Sequence, residues 1–292
     1  MRLRQDNLMI YNTFVALLSI CAAFAVPLGS FAQTEPVPER GFVYDEVYVP
    51  NLNALCAAGQ VLSDGCAEIR ARDIVDASAL PWRAIGRVNF ASTQIRSYCT
   101  GTLVSERVVL TAAHCLYNDM RMAWIPAQSL RFVAGYERGA GVAVSDVERY
   151  ILDPVHDTRG GDFQLDPSVD WALLVLKEPI GQETGFATLS PMSPEGMRTA
   201  QVVLAGYAGL RQHVLSVAND CGSPVYRSER GVIITVCAAM HGDSGAPLLI
   251  LGDGTLKVVG VLSAIAASKA GLQSVSVPAS TVIAALRTET EE

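Results

Sequence analysis

The stretch "HGDSGAP", residues 241–247, sets a His, an Asp and a Ser around glycines in an otherwise small and apolar run. A Ser hydroxyl is a weak nucleophile at neutral pH and needs a neighbouring base to become reactive. Glycine suits a backbone that must turn tightly and aim its N–H groups inward. The stretch therefore has catalytic meaning only if the chain also supplies a base and an acid to orient that base. Upstream, "VVLTAAHC" ends a strand-like run on His114, and the small Ala112 and Ala113 leave room for the ring. Between the two, "SVDWALLVL" opens a wholly apolar run with Asp170. A carboxylate opening a buried strand costs free energy unless something pairs with it, and a His would do so.

Working outward, the chain from "PWRAIGRVNF" onward is a series of short β-type runs punctuated by Gly, Pro, Asn and Asp. "SLRFVAG", "DWALLVL", "AQVVLAGYA", "GVIITV" and "LQSVSVP" are examples, and "LLILGDGTLKVVGVL" reads as a hairpin turning at Asp253-Gly254. Regular short strands with turn signals predict a sandwich or barrel rather than βαβ units. The polar stretch "KEPIGQETGFATLSPMSPEG" divides the strands near residues 178–198 and reads as a connection between two barrels. In "PASTVIAALRTETEE", Val282, Ile283 and Leu286 recur at helical spacing, which predicts a short helix followed by a frayed acidic end.

The order His114, Asp170, Ser244, with "TAAHC", "DWALL" and "GDSGAP", resembles the chymotrypsin/trypsin-like serine proteases, in an exported member of bacterial type. The resemblance runs from about Pro81 to Leu286. It implies an all-β fold of two packed antiparallel six-stranded β-barrels with a short C-terminal helix. It implies a serine-type endopeptidase acting on protein or peptide substrates, with no cofactor and no metal. His114 takes the Ser244 proton, Asp170 accepts the His114 Nδ1–H, and the backbone N–H groups of Gly242 and Ser244 meet the developing oxyanion. The alternative is a catalytically silent homologue acting as a binding module. An α/β-hydrolase is disfavoured, because its order is Ser, acid, His on a G-x-S-x-G elbow.

Composition agrees with an exported enzyme. The 292 residues are 50% hydrophobic and carry a formal net charge of −7. Lys is scarce and Arg scattered, so nucleic acid is not an expected partner. Arg2 and Arg4, the apolar "TFVALLSICAAFAVPLG" and the small residues of "SFA" before Gln33 read as a signal peptide over 1–32. After its removal the expectation is a secreted or periplasmic protein without membrane attachment, and a monomer. Residues 33–75 read as an N-terminal extension or pro-segment, and 76–292 as the protease domain. Without Cys21, six cysteines remain: Cys56, Cys66, Cys99, Cys115, Cys221 and Cys237. An even number in an exported chain reads as disulfides, and proximity suggests the pairs 56–66, 99–115 and 221–237.

The resemblance also marks departures. It puts Ala238 at the base of the primary specificity pocket, where an Asp would favour Arg or Lys and Ala cannot. It makes Ser263 part of the strand that carries the substrate backbone. Ala264 and Ile265 follow, with Ile265 narrowing the pocket where Gly is frequent. Small or medium apolar P1 residues are expected. His241 should border the substrate entrance, whereas His156 and His213 read as loop residues without a role. Maturation in the family, a zymogen trait, often cuts before an Ile-Val pair, and the new ammonium then pairs with the residue here numbered Asp243. Ile74-Val75 is at a suitable distance, but Asp73 precedes it and Asp76-Ala77 follows where Gly-Gly is usual. Arg70 and Arg72 read as the flank of a cutting site.

Overall fold

Apolar and β-branched runs separated by turn residues fold into strands because each strand hides one face and repeats with period two. The computed structural model describes residues 48–49, 66–91, 96–159, 163–252, 254–268 and 271–291. The expected signal peptide, Cys56 and the Asp253 half of the hairpin turn lie outside them. Six strands make the first half: β1 (Ile85–Ala91), β2 (Arg96–Leu103), β3 (Val108–Thr111), β4 (Leu130–Ala134), β5 (Ala143–Leu152) and β6 (Ala172–Leu176). They close into a barrel in the order β6–β3–β2–β1–β4–β5, every pair antiparallel. Val88, Leu103, Val109, Phe132, Val147 and Leu174 fill it.

β5 has no apolar run to announce it. It carries Asp146, Glu148 and Arg149, and only Ser145 and Val147 along it are buried. Its outer face is held instead by charge, with Asp146 2.9 Å from Arg131 on β4.

The second half contains β7 (Val203–Gly206), β8 (Ser216–Ala218), β9 (Val225–Arg227), β10 (Val232–Thr235), β11 (Pro247–Gly252), β12 (Thr255–Ser268) and β13 (Gly271–Pro278). Six of these follow the path β10–β13–β12–β11–β7–β8 inside a ten-stranded sheet. β9 pairs with β10, and the short strands Tyr48–Val49, Asp73–Ile74 and Thr188–Leu189 pair with β12, β8 and β12. No ladder joins β8 to β10. The gap is crossed by the Cys221–Cys237 disulfide and by the Val236 N–H, which donates to the Cys221 carbonyl at 3.0 Å. Between β8 and β10 the second sheet is thus bridged by a disulfide and one backbone hydrogen bond rather than by a ladder.

The connection between the halves is more than a linker. It holds short helices Gly181–Thr184 and Pro194–Thr199, and it buries Ala187 and Leu189. These join one apolar cluster drawn from both halves, in which Ile85, Leu110 and Leu173 meet Tyr207, Val258 and Val277. Before the first barrel, α1 (Cys66–Ala71) turns Ile69 inward. After the second, α2 (Ala279–Glu291) buries Val282 in the shared cluster. The expected frayed acidic end is helical through Glu291, because Glu289 pairs with Arg149 of β5 at 2.6 Å. No helix among the described residues is long and apolar enough to cross a membrane.

Candidate active site

The antiparallel pairing of β3 with β6 sets Thr111 opposite Ala172. The residues just after β3 and just before β6 therefore meet at one end of the barrel. His114 stands there in the single 3₁₀ turn Ala113–Leu116, and Asp170 stands two residues before Ala172. Asp170 is fully buried. Its Oδ1 accepts the His114 backbone N–H at 2.8 Å, and its Oδ2 accepts the His114 Nδ1–H at 2.8 Å. The Ser263 hydroxyl, arriving on β12 from the other half, donates to the same Oδ2 at 2.6 Å. The Cys99–Cys115 disulfide fastens the His114 turn to β2.

These contacts decide the protonation states. Burial alone opposes the charged form of both groups. For His114 the charge of Asp170 and its hydrogen bond outweigh burial and raise the imidazole pKa. For Asp170 the same burial is outweighed by His114 and by the Ser263 and backbone hydrogen bonds, so its pKa is lowered. The pair is therefore a carboxylate beside an imidazole made more basic, whose Nε2 faces the Cys115 sulfur at 3.9 Å.

Ser244 lies in the turn that leads into β11. Thr100 of β2 pins that turn: its N–H donates to the Ser244 carbonyl at 2.9 Å and its hydroxyl to the Gly242 carbonyl at 2.8 Å. Gly242 has φ +95°, and a Cβ there would lie 2.4 Å from the Tyr207 carbonyl oxygen. Gly245 has φ +77°, and its Cβ would lie 2.2 Å from the Thr111 hydroxyl. Only glycine lets the Ser244 turn press this closely on Tyr207 at one side and on Thr111 of the first barrel at the other. The N–H groups of Gly242 and Ser244 have no acceptor among the described residues. Ser244 and His114 line one cavity of about 460 Å³, walled by Tyr98, Tyr117, Phe163, Leu165 and His241.

Not every expected residue joins that cavity. His241 does, with its ring 5.8 Å from that of Tyr98. Ser263 is buried and spends its hydroxyl on Asp170. Ile265 is buried in the second-half core with Cys237, Ala239 and Leu262. Ala238 lines a separate cavity of about 340 Å³ with Arg72, Asp220 and Val236. His213 is exposed and hydrogen-bonds Tyr136 at 2.8 Å. His156 is half-buried against Trp124 and Phe163, and its Nε2–H donates to the carbonyl of Val169, the residue before Asp170, at 3.1 Å. Sulfurs of Cys99 and Cys115 and a nitrogen of His114 lie within 4.8 Å of one another. The two sulfurs are bonded to each other, so they offer no thiolate to a metal.

The largest surprise concerns Asp243, which is fully buried beside Ser244. Ile74, the residue expected to reach it as a new terminus, is 53% exposed on the strand that pairs with β8. Asp243 instead receives Arg72: Nη1 donates to Oδ1 and Nη2 to Oδ2, each at 2.9 Å. Nη2 also bonds the Ala238 carbonyl. Asp243 Oδ2 accepts the Met240 N–H at 3.0 Å as well, which closes the turn. α1 delivers the guanidinium: Ile69 packs on Ala208 and Met240, and the Arg211 side chain holds the carbonyls of Ile69 and Arg70. Arg72 is separated from Asp243 by 171 positions, and its only sequence signal was an unusual cluster of arginines before Ile74.

A nucleophile turn from one half set against a base and buried acid from the other, in the order His, Asp, Ser, is the layout of two-barrel serine peptidases. The chain belongs to the trypsin family, whose model, Trypsin, matches residues 74–285. It is accordingly a serine-type endopeptidase. It is 27% identical over 268 residues to human transmembrane protease serine 5, covering 80% of this chain and 55% of that protein. It is 25% identical to a trypsin of Simulium vittatum, over 65% of this chain and 80% of that one. A Bacillus licheniformis glutamyl endopeptidase is also 25% identical, over 60% of this chain and 51% of its own length. Among solved structures, a Glu endopeptidase in complex with MPD superimposes with a TM-score of 0.60 at 18% identity, covering 76% of this chain and 97% of that one. At that identity the likeness speaks for the fold.

Proposed function

We propose that this chain is an exported endopeptidase that cleaves protein or peptide substrates through an acyl-enzyme on Ser244. The observation that carries the reading is the double grip of buried Asp170 on His114, at 2.8 Å to the backbone N–H and 2.8 Å to Nδ1. His114 Nε2 takes the Ser244 hydroxyl proton as the oxygen attacks the scissile carbonyl. The N–H groups of Gly242 and Ser244 hold the resulting oxyanion. The tetrahedral adduct collapses by expelling the amine, which receives the proton from His114, and water repeats the cycle on the acyl-enzyme. The disulfides at Cys99–Cys115 and Cys221–Cys237 support an oxidising compartment. The same reading takes 1–32 as a removed leader, 33–75 as an N-terminal extension and 76–292 as a monomeric protease domain.

Ser244→Ala should lower kcat by roughly 10⁶-fold with the fold intact. Peptidase activity persisting in well-folded Ser244→Ala protein would exclude the assignment. A wild-type chain that binds peptides but neither cleaves them nor labels with a fluorophosphonate would favour the silent homologue. For P1 we propose small or medium apolar residues on the resemblance alone, which assigns the uncharged Ala238 to the specificity pocket, whereas the structure sets Ala238 in a cavity apart from that of Ser244. Matched peptides differing only at P1 check this. Arg, Lys or Glu outperforming Ala, Val and Leu would overturn it.

A further inference from the structure

Asp243 immediately precedes the nucleophile, and its carboxylate is fully buried. A buried carboxylate requires a compensating cation, and removing that cation is strongly destabilising. The cation here is internal. Arg72 brings both terminal nitrogens to both carboxylate oxygens, and the side chains are 1% and 0% exposed. The bidentate fork fixes direction as well as charge. Held this way, Asp243 accepts the Met240 N–H at 3.0 Å. The turn's own bonds, Asp243 N–H to the Met240 carbonyl at 3.0 Å and Ala246 N–H to the Asp243 carbonyl at 2.7 Å, then point the Gly242 and Ser244 amides away from protein acceptors.

The segment that carries Arg72 is bound into the domain at several points. Ile69 is buried among Ala208 and Met240. Ile74 and Asp73 ladder with Ser216 and Val217 of β8, and Asp73 accepts from Asn219 at 2.6 Å. The Val75 N–H donates to the Leu215 carbonyl at 3.2 Å. Gly206 leaves the space for the carboxylate, since a Cβ there would lie 2.4 Å from Asp243 Oδ1.

We propose that Arg72 is a positioning residue, the resident counter-ion that sets the oxyanion turn in the uncut chain. The domain then becomes competent with the backbone from Arg72 through Asp73 to Ile74 uncut. Trimming of residues before Cys66 is compatible with this and leaves the pair in place. The inference rests on the serine-peptidase reading of Ser244, and the test separates the two.

The full chain is produced and labelled with a fluorophosphonate, and the labelled species is mapped by mass spectrometry. Arg72 should be found joined to Asp73 and Ile74 in labelled protein. Labelling confined to species that begin at Ile74 overturns the role of Arg72 and leaves the peptidase reading standing. No labelling of any species, cut or uncut, overturns both. Arg72→Met and Arg72→Lys are then compared on a peptide ester. Arg72→Met should lose about 10²–10³-fold in kcat, the cost of an unset oxyanion donor, with KM changed only a few-fold. Arg72→Lys should recover a large part of the loss. Because Arg72→Met strands a buried charge, Arg72→Met/Asp243→Asn supplies a variant without that burden. It should fold and remain at least 10²-fold slow in kcat. Wild-type kcat in either Met-containing variant overturns the proposal.

Discussion

In the proposed mechanism Asp170 orients the base, and its three hydrogen bonds bear on its partner's titration. His114 must be neutral to accept the Ser244 proton, and its pKa is raised by Asp170. The kcat/KM profile should therefore fall as pH drops through a value above the ordinary imidazole pKa of about 6.5. Asp170→Asn removes the charge that raises it. The acid limb should then move to lower pH, and the plateau should drop by about 10³–10⁴-fold, because the tautomer is no longer fixed. A limb that stays put in Asp170→Asn would mean that His114 is not the group being titrated. At this scale the sequence was legible where chemistry concentrates in a short motif. His114, Asp170 and Ser244 each sit in a recognisable stretch, whereas Ser263 and Arg72 act across 93 and 171 positions on partners that no local pattern announces.

Among the elements, the β12–β13 ladder explains why the specificity pocket could not be read from alternation. Its register slips between Leu262 and Ala264, so side chains beyond the slip exchange faces. Ile265 consequently points into the core with Cys237 and Ala239 rather than onto the cavity of Ser244. β5 carries no signal of its own in the sequence for a different reason, since a strand whose outer face is charged lacks the apolar run that marks its neighbours. The His114 turn depends on a covalent tie, the Cys99–Cys115 bridge, which closes a separation of 16 residues. Replacing both cysteines by Ser should lower unfolding stability by roughly 3 kcal/mol in urea titrations, and kcat should fall with it as the turn loosens. Unchanged stability and rate together would mean that the bridge is dispensable.

For the whole molecule, the strand runs predicted an all-β protein in two halves, and the first half closes as expected. In the second, the Cys221–Cys237 bridge forms as its proximity in sequence suggested, but that it spans the gap between β8 and β10 depends on which segments lie side by side. Reduction of that bond should raise hydrogen exchange at Val236 and along β8 and β10 while the first barrel stays protected. Uniform protection before and after reduction would show that packing alone holds the gap. The buried pair beneath the nucleophile has a consequence at high pH. A terminal ammonium has an ordinary pKa of about 8, and even when a buried carboxylate raises it, it gives up its proton in base before a guanidinium does. A guanidinium stays charged beyond about pH 12. Tyr98, over the Ser244 cavity, is pushed up to about 12 by burial. With Arg72 as the proposed counter-ion, alkalinity removes no charge that this turn relies on, so kcat should run level from above the His114 limb to about pH 10, a working range suited to alkaline surroundings.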